Sequence, residues 1–240
     1  MCGYAGMKAL TVYALKKRVR DRSWFFLLAP VGSAGSLAAS SRATPDVAKQ
    51  LLGKSFRYGW IVGFLYWLYW KTPPPPGIVR SYCCLPIIML FGEAVGPVMQ
   101  ISYFPTGKIP PAHHDRPWLA KSLQEFWGRR WNTWFSDICR TLIFRPLGRW
   151  PLLAMIGVFL FSGIIHELLI NLPFHLSEGK ALYGSQILFF ALQAFGIWFD
   201  RTFLSGQSWI RRFWAWGIVT IPAPLILNEG ALKILGLWPS

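Results

Sequence analysis

Trp150-Pro-Leu-Leu-Ala-Met-Ile-Gly-Val-Phe-Leu-Phe-Ser-Gly-Ile-Ile-His166-Glu167-Leu-Leu-Ile170 decides how this chain is read. It is apolar over roughly the 20 residues that an α-helix needs to cross a bilayer core. A histidine and a glutamate interrupt it near one end. An ionisable side chain inside such a helix is costly and marks a functional site by default. The rest of the 240 residues agree with a membrane setting: apolar residues make up 53% and charged ones 15%, against about 25% charged in an ordinary soluble domain. Mean hydropathy is +0.35, and the 14 Trp suit rings that anchor at lipid headgroups. The expected fold is all-α, a polytopic transmembrane helical bundle with an amphipathic region at its cytoplasmic interface.

Four further segments read as spans: Arg57–Trp70, Ser81–Ser102, Ala181–Phe199 and Phe213–Leu227, the last interrupted by Pro222 and Pro224, which a membrane bundle tolerates. Trp24–Ala39 is apolar but holds Pro30 and lies between two basic flanks, so it reads as re-entrant or interfacial. Residues 1–57 form a basic N-terminal region, and residues 58–240 a transmembrane domain with its motif core at about 105–170. The residues through Arg22 are basic and lack a continuous apolar core, so no cleavable signal is expected.

The formal charge of +15 raises nucleic acid as a partner, but the cations sit between apolar runs rather than along one soluble face. That is the bias of cytoplasmic loops. Tyr103–Arg149 carries eight basic residues against three acidic ones and is expected on the cytoplasmic side, within a multi-pass integral membrane protein. The four cysteines lack metal-ligand spacing and read as free thiols.

Upstream of His166 lies a polar, aromatic stretch, Ser122-Leu-Gln-Glu-Phe-Trp-Gly-Arg-Arg-Trp-Asn132. With Ser122 as N-cap, Ser122–Ile138 reads as one helix. Leu123, Phe126, Trp127, Trp131 and Trp134 then share an apolar arc, while Glu125, Arg129, Asn132 and Ser136 share the opposite ridge. Gly128 is its weak point. On pattern alone this is an interfacial amphipathic helix with no chemical part.

His166 sits one turn beyond Ser162 and Gly163 on the same face. Burial disfavours the charged imidazole, which leaves an unprotonated base; the alternative is a histidine bonded between helices. Glu167 is neutral, paired, or an orienter of the ring. Gly163 permits close approach of a neighbour. A zinc motif fails because Ile170 stands where a second histidine is needed. Ser162 lacks a nucleophile elbow and bonds more readily to its own helix. His113-His114-Asp115 has no further ligands at metal spacing, so no metal is expected.

Together, Ser-Leu-Gln-Glu-Phe-Trp-Gly-Arg-Arg-Trp-Asn and, some thirty residues on, Phe-Ser-Gly-Ile-Ile-His-Glu resemble the wax synthase branch of the membrane-bound O-acyltransferases. The resemblance spans about Pro105–Glu167. Relatives usually place more helices before the first motif, and this chain departs from them in length. The resemblance implies catalytic roles for His166 and Asn132. It also implies substrate contacts from Gln124, Glu125, Phe126, Trp127, Arg129, Arg130, Trp131 and Ser162, with the arginines facing the phosphates of CoA and the aromatic rings walling the entrance. Acyl-CoA is the implied co-substrate, a lipophilic alcohol the acceptor, and membrane lipids the surroundings. One geometric condition follows. His166 lies about 24 Å along a straight helix from Trp150, so the Asn132 segment has to dip into the bilayer to share a site with it. The rival readings are a transporter with a polar pathway through Glu93, His166 and Glu167, and a lipid-binding relative without activity.

Overall fold

Helix accounts for nearly all the regular structure of the computed structural model, which describes residues 39–73, 75–204 and 208–238. The expected re-entrant segment, apart from Ala39, lies outside these residues. The chain falls into two units. Of the described residues, the first takes 39–64, 89–118 and 127–149, and the second takes the remainder.

In the first unit, a two-residue strand β1 (Ser41–Arg42) pairs antiparallel with β2 (Lys108–Ile109). Thr44 Oγ1 accepts the Val47 N–H at 3.3 Å, satisfying one of the free donors that open any helix. Helix α1 (Pro45–Lys71) begins there, with proline in the first turn and Asp46 at its positive end. Helix α1 beyond Phe64 and helix α2 (Gly77–Ile101) before Met89 belong to the second unit; within the first, the Ser55 hydroxyl donates to the Ala94 carbonyl at 2.7 Å. Gly107, at φ 74°, ends the following turn Phe104–Thr106 in the left-handed region. Tyr103 and Trp134 meet edge-on at 5.9 Å in the core of this unit.

The continuous helix expected over Ser122–Ile138 is not formed. Ser122 does cap a start, its Oγ accepting the Glu125 N–H at 3.1 Å, but α3 (Leu123–Glu125) loosens into a π turn at Phe126–Arg130. Helix α4 (Thr133–Cys139) then starts afresh, with Asn132 as its N-cap at φ 43°. Asparagine is one of the few non-glycine residues that accept this conformation. The break has a tertiary cause. The Arg130 carbonyl accepts from the Asp115 N–H at 2.9 Å, and the Thr133 N–H donates to the His113 carbonyl at 3.0 Å. Backbone groups that a helix would pair internally are bonded to a distant loop, and helical periodicity carries no sign of that. The expected polar ridge is therefore dismantled. Ser136 Oγ donates to the Trp127 carbonyl, and Glu125 accepts the Lys121 N–H.

The second unit is built on α5 (Pro151–His166), which continues through a π turn at Glu167–Asn171 into α6 (Leu172–Glu178) and ends at Gly179. Helix α7 (Ser185–Phe203) packs along α5. A Cβ on Gly163 would lie 2.8 Å from Ile187 Cα, so the close approach expected at this glycine is made by α7. Helix α8 (Ser208–Thr220) is tied to α7 by the Trp214 indole N–H on the Gly196 carbonyl, 2.9 Å, and by Gln193 on the Ile218 carbonyl, 2.8 Å. The final expected span is interrupted near Pro222, as its prolines suggested. Two short helices follow, α9 (Ala223–Ile226) and α10 (Glu229–Ile234). Among the described residues two helical stretches, Gly77–Thr106 and Pro151–Glu178, are long and apolar enough to cross a membrane. Cys83, Cys84 and Cys139 are free thiols.

Candidate active site

His166 belongs to the second unit and Asn132 to the first. His166 closes α5. Its Nδ1 lies 2.7 Å from the Ser162 carbonyl oxygen. A carbonyl only accepts, so Nδ1 carries the proton and donates, and the neutral ring keeps its lone pair on Nε2. The Phe190 ring of α7 stands 4.8 Å away, tilted by 51°. Ser162 Oγ donates to the Val158 carbonyl at 3.0 Å, the internal bond expected of it. Thus Ser162 contributes its backbone, not its hydroxyl, to the histidine.

Glu167 does not touch the imidazole through any hydrogen bond of this structure; it is the paired alternative. One carboxylate oxygen accepts the Gln186 N–H at 2.9 Å, at the positive start of α7, where a negative charge is favoured. The other accepts from the Asn171 amide at 2.6 Å. Asn171 also bonds the Leu182 carbonyl and Ser185 Oγ, and Asn228 donates to Asn171 Oδ1 at 2.9 Å. Asn171 and Gln186 are fully buried. This network fixes the end of α5 against the start of α7, and so fixes His166. Asn171, Ser185, Gln186 and Asn228 are spread over nearly sixty positions, and no local motif announces them.

In the first unit, Asn132 Oδ1 accepts the Phe135 N–H at 3.2 Å, and the Thr133 N–H next to it donates to the His113 carbonyl at 3.0 Å. Trp131 lies edge-on to His114 at 4.6 Å, and Trp134 edge-on to His113 at 5.1 Å. The two histidines approach Nδ1 to Nδ1 at 2.6 Å. Burial pushes His113 down to about 4, opposed by the neighbouring Asn132 side chain. Burial, then the neighbouring His113 and Lys54, push His114 down to about 3. Beside them, the buried Glu93 carboxylate pairs with Lys54 at 2.5 Å and accepts the Arg116 N–H. The histidines, weighed from the sequence only as metal ligands, instead pack against Trp131 and Trp134 on either side of Asn132.

The other candidates divide. Gln124 accepts from Arg201 at 3.1 Å. Phe126 is buried against Trp216 at 6.1 Å. Arg130 donates to the Asp115 carbonyl at 3.1 Å and stands 3.7 Å from its carboxylate, so part of its fork is engaged. Trp127 is half-buried, and Arg129 is exposed.

Residues 110–192 match the membrane bound O-acyl transferase family. A probable long-chain-alcohol O-fatty-acyltransferase 9 of Arabidopsis thaliana is 31% identical over 104 residues, 39% of this chain and 30% of that protein. Probable long-chain-alcohol O-fatty-acyltransferase 6 of the same plant is 34% identical over 132 residues, 52% of this chain and 36% of its own length. Its acyl-CoA–sterol O-acyltransferase 1 is 44% identical over 64 residues, 23% of this chain and 19% of that protein. The chain thus spans little more than a third of such relatives at most. The matched residues contain both Asn132 and His166. The likeness of this chain is to the wax synthase-like branch of the membrane bound O-acyl transferase family, and residues 110–192 carry it.

Proposed function

We propose that the chain carries the reaction centre of a multi-pass membrane O-acyltransferase that moves a fatty acyl group from acyl-CoA to the hydroxyl of a lipophilic alcohol. The observation that carries this reading is the His166 Nδ1–Ser162 carbonyl bond, 2.7 Å, which leaves Nε2 as the basic nitrogen. Nε2 takes the hydroxyl proton as the alcohol oxygen bonds to the thioester carbon. The carbonyl oxygen becomes an oxyanion, and one hydrogen-bond donor to such a charge is worth about 3 kcal/mol at comparable sites; the resemblance of its motif is what gives Asn132 the second catalytic role. The intermediate collapses by breaking the C–S bond, and the imidazolium returns its proton to the departing CoA thiolate. The exposed Arg129 serves the CoA phosphates, with Arg130 beside it. The names of the relatives, which include both long-chain-alcohol and sterol acyltransferases, support an apolar hydroxyl acceptor.

The outward side chains support the membrane setting. Trp60 and Trp209 are each 67% exposed and Phe213 is 72% exposed, and apolar surface of this kind calls for lipid or protein cover. The transporter reading is less well supported, since Glu93 and Glu167 are both paired within their own surroundings. The test is ester formation by membranes or purified protein from labelled acyl-CoA and a panel of fatty alcohols and sterols, beside His166→Ala. Ester formed equally by the variant overturns the assignment of His166. No ester with any acceptor, from a folded protein that binds acyl-CoA, favours a lipid-binding role.

A further inference from the structure

We infer that Arg140, Arg145 and Arg149, the three arginines between α4 and α5, form a docking row for the phosphates of anionic lipid headgroups. This goes beyond the acyl-transfer reading and rests only on its membrane setting.

The row is made by an irregularity of the backbone. In a regular α-helix of 3.6 residues per turn, Arg145 would lie about 140° around the axis from Arg140. The chain instead takes a π turn over Arg140–Phe144, and the Arg145 N–H donates to the Arg140 carbonyl at 2.9 Å. A hydrogen bond spanning five residues widens the turn and brings residue 145 over residue 140. The Leu147 N–H on the Ile143 carbonyl and the Gly148 N–H on the Arg145 carbonyl, both 3.2 Å, keep the chain coiled. Arg149 therefore follows Arg145 one turn on. All three arginines are exposed, whereas Thr141 is buried and Leu142, Ile143 and Leu147 are half-buried.

Such a row has no internal counter-charge. From Ile138 to His166 the sequence holds no Asp or Glu. Among the described residues no carboxylate pairs with any of the three guanidiniums. Like charges one turn apart repel, and an anion from outside relieves them. Position in the chain says which anion. Arg149 stands two residues before Pro151, where the stretch Pro151–Glu178, long and apolar enough to cross a membrane, begins. The start of a crossing helix lies at the headgroup layer. Phe144 and Trp150 are exposed here, and aromatic side chains suit that depth. A guanidinium grips phosphate oxygens through paired N–H groups. A phosphatidylserine headgroup keeps a net negative charge, which choline cancels in phosphatidylcholine. Basic clusters beside a span are drawn to an anionic leaflet on these grounds.

The test is a binding isotherm and needs no turnover. Fluorescent phosphatidylserine is titrated onto the purified chain in a non-ionic detergent, beside fluorescent phosphatidylcholine. Wild type should prefer phosphatidylserine, and less so as salt rises and screening shortens. Arg145→Gln should weaken phosphatidylserine binding about fivefold, the weight of one basic side chain at an anionic surface. Arg140→Gln, Arg145→Gln, Arg149→Gln together should abolish the preference and leave phosphatidylcholine binding unchanged. A preference kept by this triple variant overturns the proposal. So does an equal loss in the triple variant Arg42→Gln, Lys49→Gln, Lys108→Gln, which removes the same charge from other exposed positions. Coenzyme A is the third arm, since its phosphates offer the same chemistry. If it displaces phosphatidylserine and itself loses affinity in Arg145→Gln, the row serves soluble phosphates and the proposal falls. Should the triple variant not fold, Arg145→Gln decides: unchanged affinity overturns the proposal, and a loss largely restored in Arg145→Lys supports it. A wild-type protein that makes no ester refutes the acyl-transfer reading and leaves this result standing.

Discussion

His166 Nδ1 donates to the Ser162 carbonyl oxygen at 2.7 Å, one helical turn back on the same helix. The helix itself therefore sets the tautomer, and the lone pair falls on Nε2. His166→Ala should lower ester formation by about 10²- to 10⁴-fold, the usual contribution of a positioned general base, with acyl-CoA binding retained. Initial rates and an acyl-CoA binding isotherm on the same preparation check it. Ser162→Ala, which keeps the backbone carbonyl, should retain the tautomer and most of the rate.

The seat of that histidine depends on how closely α5 and α7 approach. A Cβ at Gly163 meets the Ile187 Cα at 2.8 Å, a backbone atom that cannot swing aside. Gly163→Ala should cost about 1–3 kcal/mol, as overpacking does, read as a lower thermal midpoint in detergent. Gly128→Ala, with nothing within 4 Å of its Cβ, is the control and should leave the midpoint nearly unchanged.

The two glycines mark how far the sequence could be read. Gly163 was legible as a close-approach site because it lies inside an apolar run one turn from His166. Ser122 was legible as a cap, and the interruption near Pro222 followed from proline chemistry. The break at Asn132 was not legible. Its cause is a pair of backbone hydrogen bonds to His113 and Asp115, and residue type does not encode where a carbonyl will find a donor. The polar network around Asn171 was hidden for a related reason. Each member looks like an ordinary helix end, and only the packing of α5, α7 and α10 brings them together.

That network should behave as one unit. Asn171→Leu removes the donor to Glu167 and the acceptor for Asn228 at once, in a fully buried place. Each buried polar group left without a partner costs about 1–3 kcal/mol. Asn228→Leu removes one of the same bonds, so the double variant should lose less than the two single losses added together. Denaturant or thermal unfolding of the four proteins measures the coupling; strict additivity would mean that the two amides do not act through each other.

Acid should weaken the first unit through its histidines. Burial holds His113 down to about 4 and His114 down to about 3, from an ordinary 6.5. Below about pH 6.5 the unfolded chain takes up protons on both rings while the folded one does not, so the unfolded state binds more protons. Stability therefore falls as pH drops from about 6.5 to 4, and this contribution levels off below about 3. The two rings share a contact and titrate as a pair, in two macroscopic steps. One pKa unit corresponds to about 1.4 kcal/mol, so together they contribute on the order of several kcal/mol of acid sensitivity. Unfolding midpoints of wild type and of the His113→Gln, His114→Gln double variant across pH 4–7 check this. The variant should lose much of the slope, since its amides do not titrate there, and the carboxylates common to both proteins supply the rest. Equal slopes would show that the rings titrate as solvated histidines do, and that burial does not hold them neutral.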